Sequence, residues 1–257
     1  MINGKKILAV ILARAGSKGI PMKNVRDLLG KPLFMWSVEA ALKSKYVDKI
    51  VISSNCPFCK LAYHTSVAKK QIDVNNMTKQ GRVEWINRPE EISGDLSKNE
   101  DALIHSLHHM RLYGWSPDIV LNLQVTSPCR LGELTDRCIE AYDEGGYDSL
   151  LTAKKDTPFL WRKENGKWIY PVDNHDCCDR KMRQEFKDTI ENSEFVWHDC
   201  GSIFMTDTKV LLEKKCRIGK NPCVYEVDGI NSLQIDEEFD FLLIENMAKV
   251  LKLDSLI

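Results

Sequence analysis

Apolar residues follow two rhythms along this chain: short unbroken runs, and longer stretches with an apolar position every third or fourth residue. The unbroken runs have the length of strands buried on both faces. Residues 7–13, an unbroken run, and the stretches 49–53, 83–87, 118–126 and 149–153 predict five strands in order. Helical spacing fills the intervals. Gly30-Lys31-Pro32-Leu33 reads as a turn into a helix that buries Phe34, Val38, Ala41 and Leu42. A weaker helix is predicted over 59–70. Ser97 and Glu100 have the spacing of a capping box ahead of a helix with Leu103, Leu107 and Met110 inward. A further helix over 132–144 turns Leu134, Cys138 and Ala141 inward. The last, opened by residues 234–241, is predicted to bury Phe239, Leu243, Met247 and Val250. Strands alternating with helices imply an α/β domain. The rhythm breaks over 157–179, where aromatics and prolines flank Asn165-Gly166 between two short β-like runs, the signature of a hairpin.

The first apolar run leads into a polar loop punctuated by Gly16 and Gly19 and carrying Arg14, Ser17, Lys18, Lys23 and Asn24. Glycine permits unusual backbone angles, so amide groups can turn toward an anion. Arg14, Lys18 and Lys23, placed directly after a buried strand, suit a triphosphate whose charge grows as one phosphorus is attacked. Two phosphate motifs are excluded. The dinucleotide fingerprint needs a third glycine, and a Walker loop needs glycine where Pro21 stands. The fourth run ends in LQVTSPCR, where Gln124 and Thr126 project polar groups from the carboxyl end of a strand. Open α/β sheets bind ligands at that edge.

Length and charge narrow the partners. The 257 residues suffice for one domain, 1–257, with a small appendage. Lys and Arg number 36 against 37 Asp and Glu, with no basic tract, so no nucleic acid is expected and positive potential must be local. No apolar stretch is long enough to cross a membrane. Lys5-Lys6 before residues 7–13 has the outline of a leader peptide. That run is short and enters the charged loop directly, so it is read as a strand. Nine cysteines without a disulfide-like framework favour a reducing cytoplasm. Cys56-Pro57-Phe58-Cys59, between a strand and a helix, stands in a thioredoxin-type redox context and looks like a glutaredoxin site. No Val-Pro loop or Gly-Gly pair follows it, so the thiols are read as incidental. His105, His108 and His109 are spaced for a helix without a Glu-x-x-His pattern and are read as a packing or solvated face.

Residues 12–24 resemble, at nearly every position, the motif (I/L)-x-A-R-x-G-S-K-G-(I/L)-x-x-K-N. It opens the CMP-sugar synthetases, the acylneuraminate cytidylyltransferase family that activates sialic acids and related sugars. Further resemblances follow in order. Gly30-x-Pro32-Leu33 opens the first helix in that family. Arg88-Pro89 leads into its base-binding loop, and LQVTSPCR is similar to Leu-Gln-x-Thr-Ser-Pro-x-Arg. Arg183-Gln184 resembles an Arg-Gln element, with Arg180 a rival for the arginine. Asp236 stands at the second position of Asp-x-Asp-x-x-x-Asp-Phe, and Gln234 departs from the first. Cys200 and Phe204 depart from the asparagine and tyrosine of Asn-Gly-x-Ile-Tyr.

The resemblance implies a Rossmann-like nucleotidyltransferase, a mostly parallel mixed sheet flanked by helices, with residues 155–182 forming a small β-rich dimerisation extension of a homodimer. It implies that CTP and a 2-keto-3-deoxy sugar acid give a CMP-sugar and pyrophosphate. Arg14, Lys18, Lys23 and Asp236 would be catalytic. Arg14, Gly16, Ser17, Lys23, Asn24, Arg88, Ser97 and Asn99 would hold the nucleotide. Gln124, Thr126, Ser127, Arg183 and Gln184 would meet the sugar, with the arginine on its carboxylate. Asp236 would bind magnesium; its alternative is to cap the last helix. No side chain stands out as general base. The Gln124-x-Thr126-Ser127 version favours nine-carbon acids. A transferase for another sugar or base is the nearer rival, and a thiol-redox module using Cys56 and Cys59 the more distant one.

Overall fold

The computed structural model describes residues 1–16, 19–69, 82–157, 159–169, 182–189, 193–253 and 257. Its centre is a seven-stranded sheet in the order β11-β7-β10-β6-β1-β4-β5. The strands are β1 (Ile7–Leu12), β4 (Lys49–Ser54), β5 (Val83–Asn87), β6 (Ile119–Leu123), β7 (Ser149–Asp156), β10 (Val196–Asp207) and β11 (Pro222–Glu226). β1 pairs in parallel with both β4 and β6, β4 with β5, and β11 with β7. β10 runs antiparallel between β6 and β7. This is the mostly parallel mixed sheet expected from the sequence.

Burial on both faces explains the unbroken apolar runs. Ile7, Ala9 and Ile11 of β1 face one core, while Leu8 and Val10 face the other. The helices are α1 (Leu33–Lys43), α2 (Pro57–Ala68), α3 (Asn99–Leu112), α4 (Leu134–Glu144), α5 (Thr208–Lys214) and α6 (Glu238–Val250). α1, α4 and α6 pack into the larger core. Leu103 and Met110 of α3 and Leu211 of α5 complete the smaller one. Two small hairpins stand outside the sheet: β2 (Asp27–Leu28) with β3 (Lys31–Pro32), and β8 (Arg162–Glu164) with β9 (Lys167–Ile169). Asn165 and Gly166 turn the second with φ of 50° and 80°, the left-handed pair that suits twisted strands. The remainder of the expected 155–182 extension lies largely outside the described residues.

Four sequence readings are corrected. α6 buries Phe241, Ile244 and Ala248, leaving Phe239, Leu243 and Val250 exposed. Both triads have helical spacing, and spacing alone does not say which stripe meets the core. The Ser97–Glu100 capping box does not form, because Lys98 is the N-cap, Ser97 Oγ donates to the Glu91 carbonyl and Glu100 pairs with Arg217 at 2.8 Å. The fourth strand stops at Leu123 and leaves residues 124–126 as loop. The helix over 132–144 starts at Leu134, since Gly132 and Glu133 are both left-handed.

Candidate active site

The chain leaves β1 outward through β4 and β5, then returns to the other side of β1 as β6. Such a switch in strand order opens a crevice at the carboxyl ends of the two strands. A cleft of about 290 Å3 lies there. The β1 side contributes Leu12, Arg14, Gly16, Gly19, Lys23 and Asn24. The β6 side contributes Asn122, Gln124, Val125 and Thr126, and Arg88, Asn99 and Asp236 close the rim.

The loop after β1 is held by its neighbours. Ala13 N–H donates to the Ser53 carbonyl (3.0 Å), Ala15 N–H to Asn55 Oδ1 (2.9 Å) and Asn24 Nδ2 to the Arg14 carbonyl (2.8 Å). Asn24 is thus a brace for the loop as well as a lining residue. Arg14 reaches the Gly94 carbonyl at 2.7 Å and Asp95 at 3.1 Å, joining the loop to the segment before α3. Gly19 lies against the Asp236 backbone. A Cβ there would overlap the Asp236 carbonyl oxygen, so glycine is required by close approach.

Lys23 Nζ donates to the Ile235 carbonyl at 2.7 Å and stands 3.5 Å from Asp236 Oδ1. The lysine is 12% exposed and the aspartate 67%. Asp236 does not cap α6. Glu237 does, in a reciprocal box with Asp240, and this leaves the Asp236 carboxylate open to the cleft. Arg88 is buried, donating from Nε to Ser53 Oγ (3.1 Å) and from Nη2 to the Ser53 carbonyl (2.7 Å). Burial, aided by Arg14 nearby, lowers its guanidinium pKa to about 10. The lining therefore brings Arg14, Lys23 and Arg88 together with the Asp236 carboxylate. Arg88 is fixed by a carbonyl that leaves its charge in place, while Lys23 also approaches Asp236 and Arg14 also pairs with Asp95.

On the β6 side, Thr126 Oγ1 donates to Gln124 Oε1 at 3.4 Å, and the Thr126 carbonyl accepts from Ile235 N–H at 2.7 Å. The strand end is thereby linked to the segment that carries Asp236. A bulge in β10 brings Gly201, at φ +61°, against the same place. A Cβ on Gly201 would stand 3.2 Å from Gln124 Oε1 and 3.1 Å from Gln234 Nε2.

Several sequence candidates fall elsewhere. Ser127 is fully buried and donates to the Cys200 carbonyl at 3.4 Å, so it supports the bulge rather than lining the cleft. Ser97 is turned to Glu91 and is absent from the lining. Gln184 is exposed on a single helical turn, Arg183–Glu185, also away from the lining. The side chain of Arg183, together with Ser17, Lys18 and Arg180, lies outside the described residues. Asn122 was not a candidate, although a lone polar residue inside an apolar run marks it. Its Nδ2 donates to the Val10 carbonyl at 3.0 Å, and its Oδ1 is buried without a partner among the described residues.

The rival sites lose support. Cys56 and Cys59 are both buried, and burial pushes the Cys59 thiol far above its ordinary range, the opposite of a redox nucleophile. His109 Nε2 meets Glu84 Oε1 at 2.6 Å and its ring lies against Tyr113. Among the described residues no group of three His, Cys, Asp or Glu side chains could hold a metal.

A switch-point cleft with Gly19 at close approach and cations over a strand end suits a phosphate-bearing ligand, and residues 8–160 match the cytidylyltransferase family. The chain belongs to that family. It is 26% identical over 247 residues to N-acylneuraminate cytidylyltransferase A of Danio rerio, covering 95% of this chain and 51% of that protein. It is 28% identical to the CMP-N,N'-diacetyllegionaminic acid synthase of Legionella pneumophila, covering 95% and 97% respectively. The chain spans about half the length of the first curated cytidylyltransferases that it matches. Among solved structures, a CMP:2-keto-3-deoxy-manno-octonic acid synthetase complexed with CTP superposes with a TM-score of 0.63 at 15% identity, over 96% of this chain and 99% of that one. It shares the fold.

Proposed function

We propose that this cytidylyltransferase joins CTP to a nonulosonic 2-keto-3-deoxy sugar acid, giving a CMP-sugar and pyrophosphate. The observation that carries the reading is the cleft itself, where Arg14, Lys23 and Arg88 converge beside the Asp236 carboxylate at the ends of β1 and β6. The anomeric hydroxyl oxygen forms a bond to the α-phosphorus. The bond from that phosphorus to the α–β bridging oxygen breaks, pyrophosphate takes the electron pair, and the hydroxyl proton passes to solvent or to the Asp236 carboxylate. Charge then gathers on the phosphate oxygens, where fixed cations and loop amides act without reorganising.

Roles divide by side of the cleft. Arg14, Lys23 and Gly16, with Ser17 and Lys18 of the same loop, serve the phosphates. Asn24, Arg88 and Asn99 serve ribose and base, while Gln124, Thr126 and Arg183 serve the acid. Asp236 alone fits a divalent cation only when substrate phosphates complete the shell, a habit of magnesium. Bound there, the ion would supply charge neutralisation on the phosphates. The hairpin of β8 and β9 is read as the described part of a homodimer extension. Seven free thiols among the described residues suit a reducing cytoplasm.

The test is pyrophosphate release from each of CTP, UTP, ATP and GTP against a panel of sialic, legionaminic, pseudaminic and octulosonic acids. CTP with a nine-carbon acid is expected to dominate. Equal rates with UTP would remove the cytidine assignment, and preference for the octulosonic acid would remove the nonulosonic one.

A further inference from the structure

Arg130, six residues beyond Gln124, is only 2% exposed and is the bulkiest fully buried side chain of the chain's described part. Its Nη2 donates to the Gln124 carbonyl at 2.7 Å and to the Ser202 carbonyl at 3.0 Å, and Nη1 donates to Ser37 Oγ at 3.2 Å. Ser37 Oγ in turn donates to the same Gln124 carbonyl at 3.2 Å. One guanidinium therefore joins the end of β6, the bulge of β10 and helix α1. No carboxylate among the described residues answers its charge. The titratable groups that act on it are the thiols of Cys129, Cys138 and Cys200, and burial holds the first of these up at about 12 and raises the second. A buried cation without a counter-ion is costly, and an apolar residue would pack the same space at less cost.

The position explains why a cation stands there. The carbonyl that Arg130 fixes belongs to the residue whose side chain lines the cleft, and the Ser202 carbonyl belongs to the bulge that sets Gly201 against Gln124 and Gln234. No described residue of the phosphate-facing loop, Arg14 and Lys23 included, receives a hydrogen bond from Arg130. We propose that Arg130 is a positioning residue for the acidic substrate, fixing the Gln124–Thr126 edge and lending it an unneutralised positive charge that favours a carboxylate. This rests on the reading above that the edge faces the sugar acid.

The test uses Arg130→Met, Arg130→Lys and Ser37→Ala in the full chain. Steady-state rates are measured with CTP, the best acid of the panel and that acid's methyl ester, and CTP affinity by calorimetry. In Arg130→Met the KM for the acid should rise about tenfold, and the preference for free acid over ester should fall about tenfold. CTP affinity should stay within about twofold. Arg130→Lys keeps the charge but not the fork, so it should retain the preference for free acid while losing turnover. Ser37→Ala, which leaves the arginine in place and serves if the arginine variants do not fold, should raise the acid's KM with the ester preference intact. An unchanged acid KM and ester preference in folded Arg130→Met, or equal losses for CTP and acid, would overturn the proposal. So would wild-type kinetics in Ser37→Ala. If the wild type turns over none of the acids with CTP, the functional reading fails first and the proposal falls with it.

Discussion

Replacing Lys23 by methionine removes one charge and keeps most of the stem, and the structure assigns that charge two jobs. The 2.7 Å bond to the Ile235 carbonyl comes from an ammonium that is nearly buried, so its loss leaves a carbonyl without its charged donor at a cost of about 1.5–3 kcal/mol. The approach to Asp236 at 3.5 Å adds less than about 1 kcal/mol, because that carboxylate is two-thirds exposed and screened by water. If the phosphate of the transition state shares the ammonium, a loss of the same size enters kcat/KM and lowers it about 10- to 150-fold. The lost clamp should also lower Tm, by about 2–4 °C per kcal/mol for a chain of this size. Asp236→Asn is the comparator. It removes an exposed group that does not cap α6, so Tm should hold while turnover falls. A coupled pyrophosphate assay with varied CTP, run beside thermal melts, separates the two jobs. A Lys23→Met variant that melts early but keeps wild-type kcat/KM would show a clamp and nothing more. Unchanged values on both axes would refute the reasoning altogether.

Three further outcomes are expected. Gly19→Ala pushes a methyl group into the Asp236 carbonyl, so melting should show a loss of about 1–3 kcal/mol and the pyrophosphate assay at least a tenfold drop in kcat/KM. Burial keeps Cys59 above its ordinary range and Cys129 near 12, so both stay protonated at pH 8. Among the described thiols a thiol reagent should label exposed Cys216 first, and the Cys56→Ala/Cys59→Ala double variant should release pyrophosphate as before. Gln234→Asp restores a charged ligand near Asp236 and should lower the magnesium concentration for half-maximal rate, read by titration at saturating CTP. An unchanged midpoint would place the ion elsewhere.

The buried strands were legible because their pairing demands apolar residues on both faces, and 7–13 and 49–53 need no distant partner to be recognised. β10 was not legible. Its sequence VWHDCGSIFMTD mixes polar residues with a glycine bulge, and its partners β6 and β7 lie far back in the chain. α6 was found as a helix but turned the wrong way, since Phe239, Leu243 and Val250 repeat as regularly as Phe241, Ile244 and Ala248. Periodicity sets the angle between residues, while the phase against the core is set by what the helix lands on.

The site was legible in its residue types and illegible in its internal bonds. Reading the loop as a string of cations assigns each one to the ligand, yet Lys23 is bonded to a residue 212 positions away and Arg14 to one 80 positions away. Local sequence carries no trace of such pairings. Their chemistry decides what the site can do. Lys23, Arg88 and Arg130 make their short bonds to carbonyls, at 2.7 Å in each case. A carbonyl orients a cation without cancelling it, whereas a carboxylate at that distance would do both. This lets a chain of formal net charge −1 hold its cations at the cleft on a rigid frame, with the Arg88 charge met by no carboxylate among the described residues. It also ties affinity to geometry, since a variant that frees any of these carbonyls disturbs the frame and the field together.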